Sequence, residues 1–226
     1  MKNILLITLI VGLLSCSQTK KDDSRKTTNE NLVERKVDFK YPISVEYSET
    51  TKKSGFPDTM YFNLNNERIL LLPNGKAFNQ KNSLVFDLKL ENEIHYIYFQ
   101  EYYSDLIAIF VETDMDASTG QAKRISLNSD SIKWSISFGG FNMERPVIID
   151  NFAYISTIGF IGKLDMNSGN FIWKFDDLYE NDKYANFDEP KFLENNRILF
   201  LSKSYGKNYA DTIIIDDNEG KILKKN

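Results

Sequence analysis

Residues 124–134 read Arg-Ile-Ser-Leu-Asn-Ser-Asp-Ser-Ile-Lys-Trp, and residues 163–173 read Lys-Leu-Asp-Met-Asn-Ser-Gly-Asn-Phe-Ile-Trp. The two stretches align without a gap at an offset of 39 residues. Each has a short alternating apolar segment, a polar turn, and a second short segment that ends in tryptophan. A third stretch, residues 213–223, keeps the apolar pattern and the turn glycine, but Lys224 stands at the tryptophan position. Such internal repetition is typical of proteins built from stacked supersecondary units.

A second repeated element lies upstream of the turns. Asn65–Leu72 resembles Glu194–Leu201, and the segments 104–110 and 150–156 fit the same apolar pattern. Because two elements recur in the same order, we divide the chain into four units, at about 55–99, 100–140, 141–180 and 186–226. Each unit has the length of four short strands, which is the size of a propeller blade.

The composition favours strands over helices. The chain of 226 residues contains 16 Phe and 12 Tyr, many of them in alternating runs, and aromatic residues are enriched in strands. We therefore predict an all-β fold, a propeller-like array of about four four-stranded antiparallel units that forms a closed small ring or an open arc. A β-sandwich is the alternative. For a ring, the alternating segment 41–50 is predicted to add a closing strand to the last unit.

The third unit resembles the pyrroloquinoline-quinone-type β-propeller repeat. In that repeat an aspartate opens the turn, a Ser/Thr-Gly pair completes it, and a tryptophan follows four residues later. Asp165, Gly169 and Trp173 match this pattern, the second unit keeps Trp134, and the fourth keeps Asp216 and Gly220. The resemblance implies that these residues are structural. We expect both tryptophans to pack between neighbouring units rather than form a ligand platform.

The N-terminal residues predict export and lipidation. Lys2 precedes an apolar run from Ile4 to Leu14, which is about half the roughly 20 residues that a membrane-spanning helix needs and fits a signal peptide. Leu13-Leu14-Ser15-Cys16 then resembles the lipobox of bacterial lipoproteins, in which the cysteine is acylated. The predicted domains are a signal peptide at 1–15, the lipidated Cys16 with a flexible tether at 16–40, and the repeat domain at 41–226.

The predicted destination is the outer membrane. Ser17 follows the lipidated cysteine in place of the aspartate associated with inner-membrane retention, and Lys21-Asp22-Asp23 resembles a short signal for the cell surface. The periplasmic face and the cell surface both remain open. The formal net charge falls from −4 to −5 when Lys2 is removed with residues 1–15. A mildly acidic domain argues against nucleic acid as a partner, because phosphate binding needs a basic face.

Candidate chemical sites are few. His95 is the only histidine and Cys16 the only cysteine, which leaves little material for a zinc site or a catalytic triad. By alternation, His95 is expected to share a strand face with Ile97 and Phe99. Oxygen ligands alternate at Asp114, Asp116 and Ser118 as in a calcium loop, but Gly120 comes one place late and Ile125 stands where the bidentate Glu belongs. We therefore favour a plain hairpin loop.

The long acidic connection before the last unit fits a solvated linker, and it is also the first place where an interaction surface is expected if the domain has one, with the loop 114–120 as the second. Long loops on a rigid scaffold often carry binding. Its candidate residues are Asp176, Asp177, Tyr179, Tyr184 and Phe187.

The sequence favours a non-enzymatic module that binds or scaffolds an envelope protein, anchored to the membrane through its N-terminal lipid and holding no cofactor. Propellers with the repeat described above include lipid-anchored assembly factors for outer-membrane proteins. Two alternatives stay open. One is a small-ligand or glycan binder that uses exposed tyrosines. The other is a fragment related to quinoprotein dehydrogenases, whose cofactor sits with calcium in a full ring.

Overall fold

The computed structural model of the protein describes residues 32–48, 59–113, 117–179, 186–203 and 210–226. These parts contain nineteen strands and no helix, so the predicted all-β fold is confirmed. The strands are β1 (Ile43–Ser44), β2 (Glu46–Tyr47), β3 (Met60–Leu64), β4 (Glu67–Leu71), β5 (Lys76–Phe78), β6 (Leu84–Asp87), β7 (Glu93–Tyr102), β8 (Asp105–Thr113), β9 (Ser118–Ser126), β10 (Ser131–Gly139), β11 (Val147–Ile149), β12 (Phe152–Thr157), β13 (Phe160–Asp165), β14 (Asn170–Phe175), β15 (Asn186–Phe187), β16 (Lys191–Leu193), β17 (Arg197–Lys203), β18 (Ala210–Asp216) and β19 (Lys221–Lys225).

The strands form four antiparallel sheets. The first sheet has the order β2-β3-β4-β5-β6, the second β1-β7-β8-β9-β10 and the third β11-β12-β13-β14. In the fourth, both β15 and β16 pair with β17, which continues to β18 and β19. Each sheet therefore contains a four-stranded meander of consecutive strands, as the propeller-like prediction requires. Strand β7 belongs to the second sheet, so the predicted boundary between the first two units at residue 99 falls inside a strand.

Residues 33–48, which we call the strap, run along the first strand of every meander. In the fourth sheet, Glu194 N donates to Val33 O (3.1 Å) and Arg35 N to Phe192 O (2.8 Å). In the third sheet, the backbones of Lys40 and Ile148 exchange two bonds of 2.8 Å. Strand β1 then pairs with β7, and β2 with β3. One segment thus satisfies edge groups of all four sheets, which are otherwise open to pairing with other chains.

The strap corrects two predictions. The segment 41–50 was expected to close a ring on the last unit, but its described residues pair with the second and first sheets instead. The flexible tether was expected to reach residue 40, but residues 33–40 already bond to the third and fourth sheets. The compact unit described here begins at Leu32. The predicted signal peptide, Cys16 and the tether up to residue 31 lie outside the described residues.

Three hydrophobic clusters join the sheets in chain order. Each interface contains an aromatic pair with close ring centroids, which adds to the burial of apolar area. The pairs are Phe62–Phe99 (4.3 Å) between the first and second sheets, Phe138–Phe160 (5.2 Å) between the second and third, and Tyr154–Phe192 (5.2 Å) between the third and fourth. Within the described residues, none of these clusters joins the fourth sheet to the first.

A β-bulge at His95 changes the predicted alternation of β7. The register with β8 shifts between Ile94 and Tyr96, because a bulge places one extra residue on one strand. Ile94 therefore lies in the same buried cluster as Ile97 and Phe99, although alternation predicted the opposite face. Burial lowers the pKa of His95, and its ring stacks on Tyr96 with 4.3 Å between centroids.

Candidate functional site

The repeated turn between the last two strands of a sheet is the place where the preceding sheet makes contact. Trp134 lies against Gly169 of the next sheet, and Trp173 lies against Gly220 in the same way. Both glycines have a positive φ, and a Cβ atom at either would stand 2.2–2.5 Å from tryptophan atoms. These turns need glycine for the backbone conformation and for the close approach. Asp165 opens the Gly169 turn by accepting bonds from Asn167 N and Ser168 Oγ.

The first and second sheets make contact at the same turn position, but through different residues. Asp87 N donates to Asp130 Oδ1 at 3.0 Å, and Asp130 occupies the position of Gly169 in the aligned repeat. Its φ of 47° matches the conformation that glycine supplies elsewhere, which aspartate tolerates better than most residues. All three interfaces between sheets are therefore held at corresponding points.

Asp217 in the turn of the fourth sheet is the most heavily bonded of these contact points. Lys163 Nζ lies 2.8 Å from its carboxylate, Trp173 Nε1 donates to its backbone oxygen at 2.9 Å, and the hydroxyl of Tyr154 lies 3.0 Å from the carboxylate. Burial, followed by the charge of Asp217, raises the pKa of Tyr154. The hydroxyl is therefore a hydrogen-bond donor at physiological pH, and the cluster has a structural role.

Asp105 forms a similar cluster in the second sheet. Its Oδ2 accepts from Arg124 Nε at 2.6 Å and from Lys133 Nζ at 2.8 Å, and only 1% of the side chain is exposed. Burial raises the pKa of Asp105, but the bonds from Lys133 and Arg124 outweigh it and the pKa lies below its usual value. Arg124 also lies over the ring of Tyr102, at 4.8 Å from the centroid.

The first hairpin turn of the second sheet contains an exposed aromatic residue in a strained conformation. The corresponding turns of the other sheets place Asn or Asp at positive φ, at Asn65, Asp150 and Asn195. The second sheet has Tyr103 there, with a φ of 57°. A side chain of this size costs about 1–3 kcal/mol in such a conformation. Tyr103 is nevertheless 84% exposed, so no buried contact of its side chain accounts for the cost.

The ring of Tyr103 is held in place by its neighbour. The rings of Tyr102 and Tyr103 meet edge to face, with 4.8 Å between centroids. The hydroxyl of Tyr102 lies 2.9 Å from Asn151 Oδ1 and 2.7 Å from Asn167 Oδ1, both in turns of the third sheet. Tyr103 therefore stands on a support that spans two sheets.

Two cavities flank Tyr103. One, of about 310 Å³, lies on the side of the third sheet and is lined by Asp38, Lys40, Gln100, Glu101, Ile148, Asp150 and Met166 besides the two tyrosines. The other, of about 250 Å³, lies on the side of the first sheet and includes Asn65 and Asn128. Turns of three sheets thus meet around one exposed ring, and we call this region the turn face.

A second surface lies at the opposite ends of the strands, around the turn between β12 and β13. Ile158 N donates to Phe141 O (3.0 Å), and Leu178 N donates to Gly159 O (2.8 Å). Leu178 is buried in the third cluster, which anchors the connection that follows β14. Phe141 and Tyr179 flank this turn and are 53% and 50% exposed. We call Phe141, Asp176, Asp177 and Tyr179 the loop patch.

The structure separates the residues predicted for the acidic connection. Asp176 pairs with Lys174 at 2.8 Å, Asp177 has a φ of 58°, and Tyr179 faces outward. Phe187 is a correction, because it is 1% exposed and packs on Phe200 with 6.1 Å between centroids. Phe187 lies in β15, a short strand that pairs with β17, and its side chain faces the core. Tyr184 lies outside the described residues.

Part of the predicted calcium loop is described. Asp114 and Asp116 lie outside the described residues, whereas Ser118 begins β9 and its hydroxyl lies 3.0 Å from that of Thr113. Among the described residues, no group of three or more His, Cys, Asp or Glu side chains could hold a metal ion. No helix in these parts of the chain is long and apolar enough to cross a membrane.

Two features of these surfaces were missed at the level of sequence. Tyr103 had a usable signal, since the aligned first turns contain Asn or Asp in the other units. Phe141 had no such signal, because the local sequence of a connection does not show whether an aromatic residue in it is exposed or buried.

No protein-family model matches the chain, and no curated protein matches it. Among solved structures the chain is similar to BamB from Moraxella catarrhalis, with 13% identity over 84% of this chain and 52% of that one, and a TM-score of 0.46. It is also similar to a quinohemoprotein alcohol dehydrogenase from Pseudomonas putida, with 8% identity, 83% and 36% coverage and a TM-score of 0.44. The WD40 domain of SCAP from fission yeast gives 9% identity, 83% and 48% coverage and a TM-score of 0.39. The chain spans about half the length of these proteins or less.

Proposed function

We propose that this chain is a non-catalytic protein-binding module of the bacterial cell envelope, anchored to the outer membrane through a lipid on Cys16. The anchor is supported by the short apolar run and by Leu13-Leu14-Ser15-Cys16. The binding role is supported by the loop patch. The proposal leaves open whether the domain faces the periplasm or the cell surface.

The observation that carries the binding role is the pair of exposed aromatic side chains on fixed backbone. Phe141 and Tyr179 flank one turn, and backbone bonds at 3.0 and 2.8 Å tie their segments to it. Aromatic residues are enriched at the centres of protein interfaces, where they supply large contact area. Little conformational entropy is lost on binding when the backbone is already ordered. Asp177 beside them favours a partner with a basic residue at the rim, whereas the charge of Asp176 is already paired with Lys174 at 2.8 Å.

Site-specific photocrosslinking tests the patch. The anchored full-length chain carries p-benzoylphenylalanine at position 179, and intact cells are irradiated. We expect one defined protein to be crosslinked, and we expect Phe141→Ser in the same chain to abolish the product. The matched control carries the crosslinker at Leu223, which is 49% exposed on β19. Identical products from both positions, or none from position 179, would contradict the proposed patch.

The anchor is tested separately by labelling cells with an alkyne analogue of palmitate. The wild-type chain should carry the label and fractionate with the outer membrane, whereas Cys16→Ala should lose both properties. A Cys16→Ala chain that is still labelled and membrane-bound would show that the lipobox interpretation is wrong. This result would leave the loop patch untouched, because the patch belongs to the folded domain.

A further inference from the structure

We propose that Tyr103 and the 310 Å³ cavity beside it form a binding site for a neutral carbohydrate, with the tyrosine ring stacked on one face of a pyranose. The site lies on the turn face and does not depend on the loop patch or on the lipid anchor. It involves only described residues of the second and third sheets and of the strap.

Tyr103 is held in a strained backbone conformation. A φ of 57° is ordinary for the Asn and Asp residues of the corresponding turns, but it is unfavourable for tyrosine. The ring is 84% exposed, so folding gains little from it. A strained and exposed aromatic residue points to a role outside the fold, since such strain is concentrated at functional sites.

The ring of Tyr103 rests on an ordered support. Tyr102 holds Tyr103 edge to face at 4.8 Å, and its own hydroxyl is fixed by Asn151 and Asn167. A stacking platform of this kind loses little freedom when a ligand arrives. The face of an aromatic ring carries negative charge density. It therefore attracts the weakly positive C–H groups that cover one side of many pyranose rings.

The cavity beside Tyr103 is lined by both charged and apolar side chains. Asp38, Glu101 and Asp150 offer carboxylate acceptors, Lys40 offers a donor, and Ile148 and Met166 supply the apolar part of the lining. Gln100 Nε2 already donates to Glu101 O at 2.7 Å, which leaves its second N–H. No hydrogen bond or ion pair occupies the side chains of Asp38, Lys40 or Asp150 among the described contacts. A lining that offers both donors and acceptors suits the hydroxyl groups of a sugar, which donate and accept, and a few polar groups of this kind fix a small ligand.

The same lining argues for a neutral sugar and against a peptide at this site. Three carboxylates stand beside a single ammonium group, which disfavours acidic sugars. The anchors of protein interfaces instead fill desolvated apolar pockets, and charged side chains surround Tyr103. The cavity volume is at the lower end of the range for small-molecule sites, so it fits one or two sugar residues.

The experiment screens the full-length chain against an array of neutral and acidic oligosaccharides, in a detergent without a sugar head group. The best neutral ligand is then titrated by calorimetry into the wild type and the variants. We expect Tyr103→Asn to weaken binding at least tenfold and to raise the urea midpoint, because asparagine fits this turn better. Tyr103→Phe should bind within threefold of the wild type, and Asp38→Ala should bind more weakly while unfolding at the same midpoint.

Tyr179→Asn is the matched control, since it removes a half-exposed tyrosine from the loop patch and should leave carbohydrate binding unchanged. The proposal is overturned if the wild type binds no neutral oligosaccharide, if only acidic ones bind, or if Tyr103→Asn binds as tightly as the wild type. A protein captured through Tyr103 in the absence of carbohydrate binding would overturn it as well.

Discussion

Asp105 shows how a single buried carboxylate gives this domain a pH-dependent stability. Its folded-state pKa lies below the usual value because Lys133 and Arg124 donate to it. A depressed pKa stabilises the fold above the unfolded value near 3.9, and this contribution is lost as the pH falls through the folded pKa. We expect Asp105→Asn to lower the free energy of unfolding by about 2–3 kcal/mol at pH 7, a figure reduced because Lys133 is 44% exposed.

The measurement is urea unfolding of the wild type and Asp105→Asn at pH 7, 5 and 3.5. The difference between them should be largest at pH 7 and should begin to shrink below pH 4, because the carboxylate of the unfolded wild type takes up a proton there while the folded one stays ionised to lower pH. Glu46→Gln is the control, because the pair of Glu46 with Arg68 is exposed and contributes little. A difference that stays constant over this pH range would show that packing, and not charge, is responsible.

The residues whose chemistry is local were predictable from the sequence. Asp165 and Gly169 were read as a tight turn, and the side chain of Asp165 does bond the turn residues that follow it. Contacts made over long sequence distances were not predictable. Asp217 joins Tyr154, Lys163 and Trp173 from a position at least 44 residues away, and no spacing rule within the chain links such groups.

At the scale of the element, the two tryptophans allow a comparison of the same contact in two settings. Trp173 is 6% exposed and donates to Asp217 O. Trp134 is partly exposed, and its buried Nε1 has no hydrogen-bond partner among the described residues. Replacing a buried tryptophan by alanine costs about 3–5 kcal/mol. We therefore expect a loss in this range for Trp173→Ala and a smaller one for Trp134→Ala, measured by urea unfolding; equal losses would contradict this ranking.

The strap is an element that sequence patterns could not reveal. Residues 33–48 contact the sheets through two isolated bridges and two strands of two residues each. Segments this short show neither the alternation of a strand nor the spacing of a helix. The polar residues before position 41 have the composition of a disordered linker, so edge pairing with distant strands decides their structure.

A proline substitution tests the strap as an element. Lys40→Pro removes the N–H that donates to Ile148 O at 2.8 Å and should cost about 1–3 kcal/mol. Hydrogen exchange should accelerate at the amide of Ile148, which bonds to Lys40 O. Lys36→Pro is the matched control, because no backbone bond of Lys36 N occurs among the described contacts. Equal effects of the two prolines would show that the bridge to the third sheet contributes nothing.

At the scale of the whole domain, the repeat predicted the sheets but not how they are joined. The aligned turns and the alternating runs predicted meanders of the observed size. Both patterns are visible in the sequence because turns and strands depend on residues that are neighbours in the chain. The choice between a ring and an open array depends on whether the fourth sheet meets the first. The fourth sheet has Lys224 at the tryptophan position, and the first has Asn82 with a φ of 59° in the corresponding turn. The Trp–Gly contact that joins the second sheet to the third and the third to the fourth thus has no equivalent pair here.

An array whose sheets pack only against their neighbours should lose its sheets one at a time. In such a system the free energy of unfolding is the sum of the intrinsic stability of each sheet and of the interfaces between neighbouring sheets. Trp173→Ala weakens the interface between the third and fourth sheets, so hydrogen exchange should accelerate throughout β16–β19 and stay at the wild-type rate in β7–β10. Phe99→Ala weakens the opposite interface through the Phe62–Phe99 contact and should accelerate exchange in β3–β6 while sparing β16–β19. If either variant accelerates exchange in both terminal sheets together, the domain unfolds as one closed unit, and the open array is refuted.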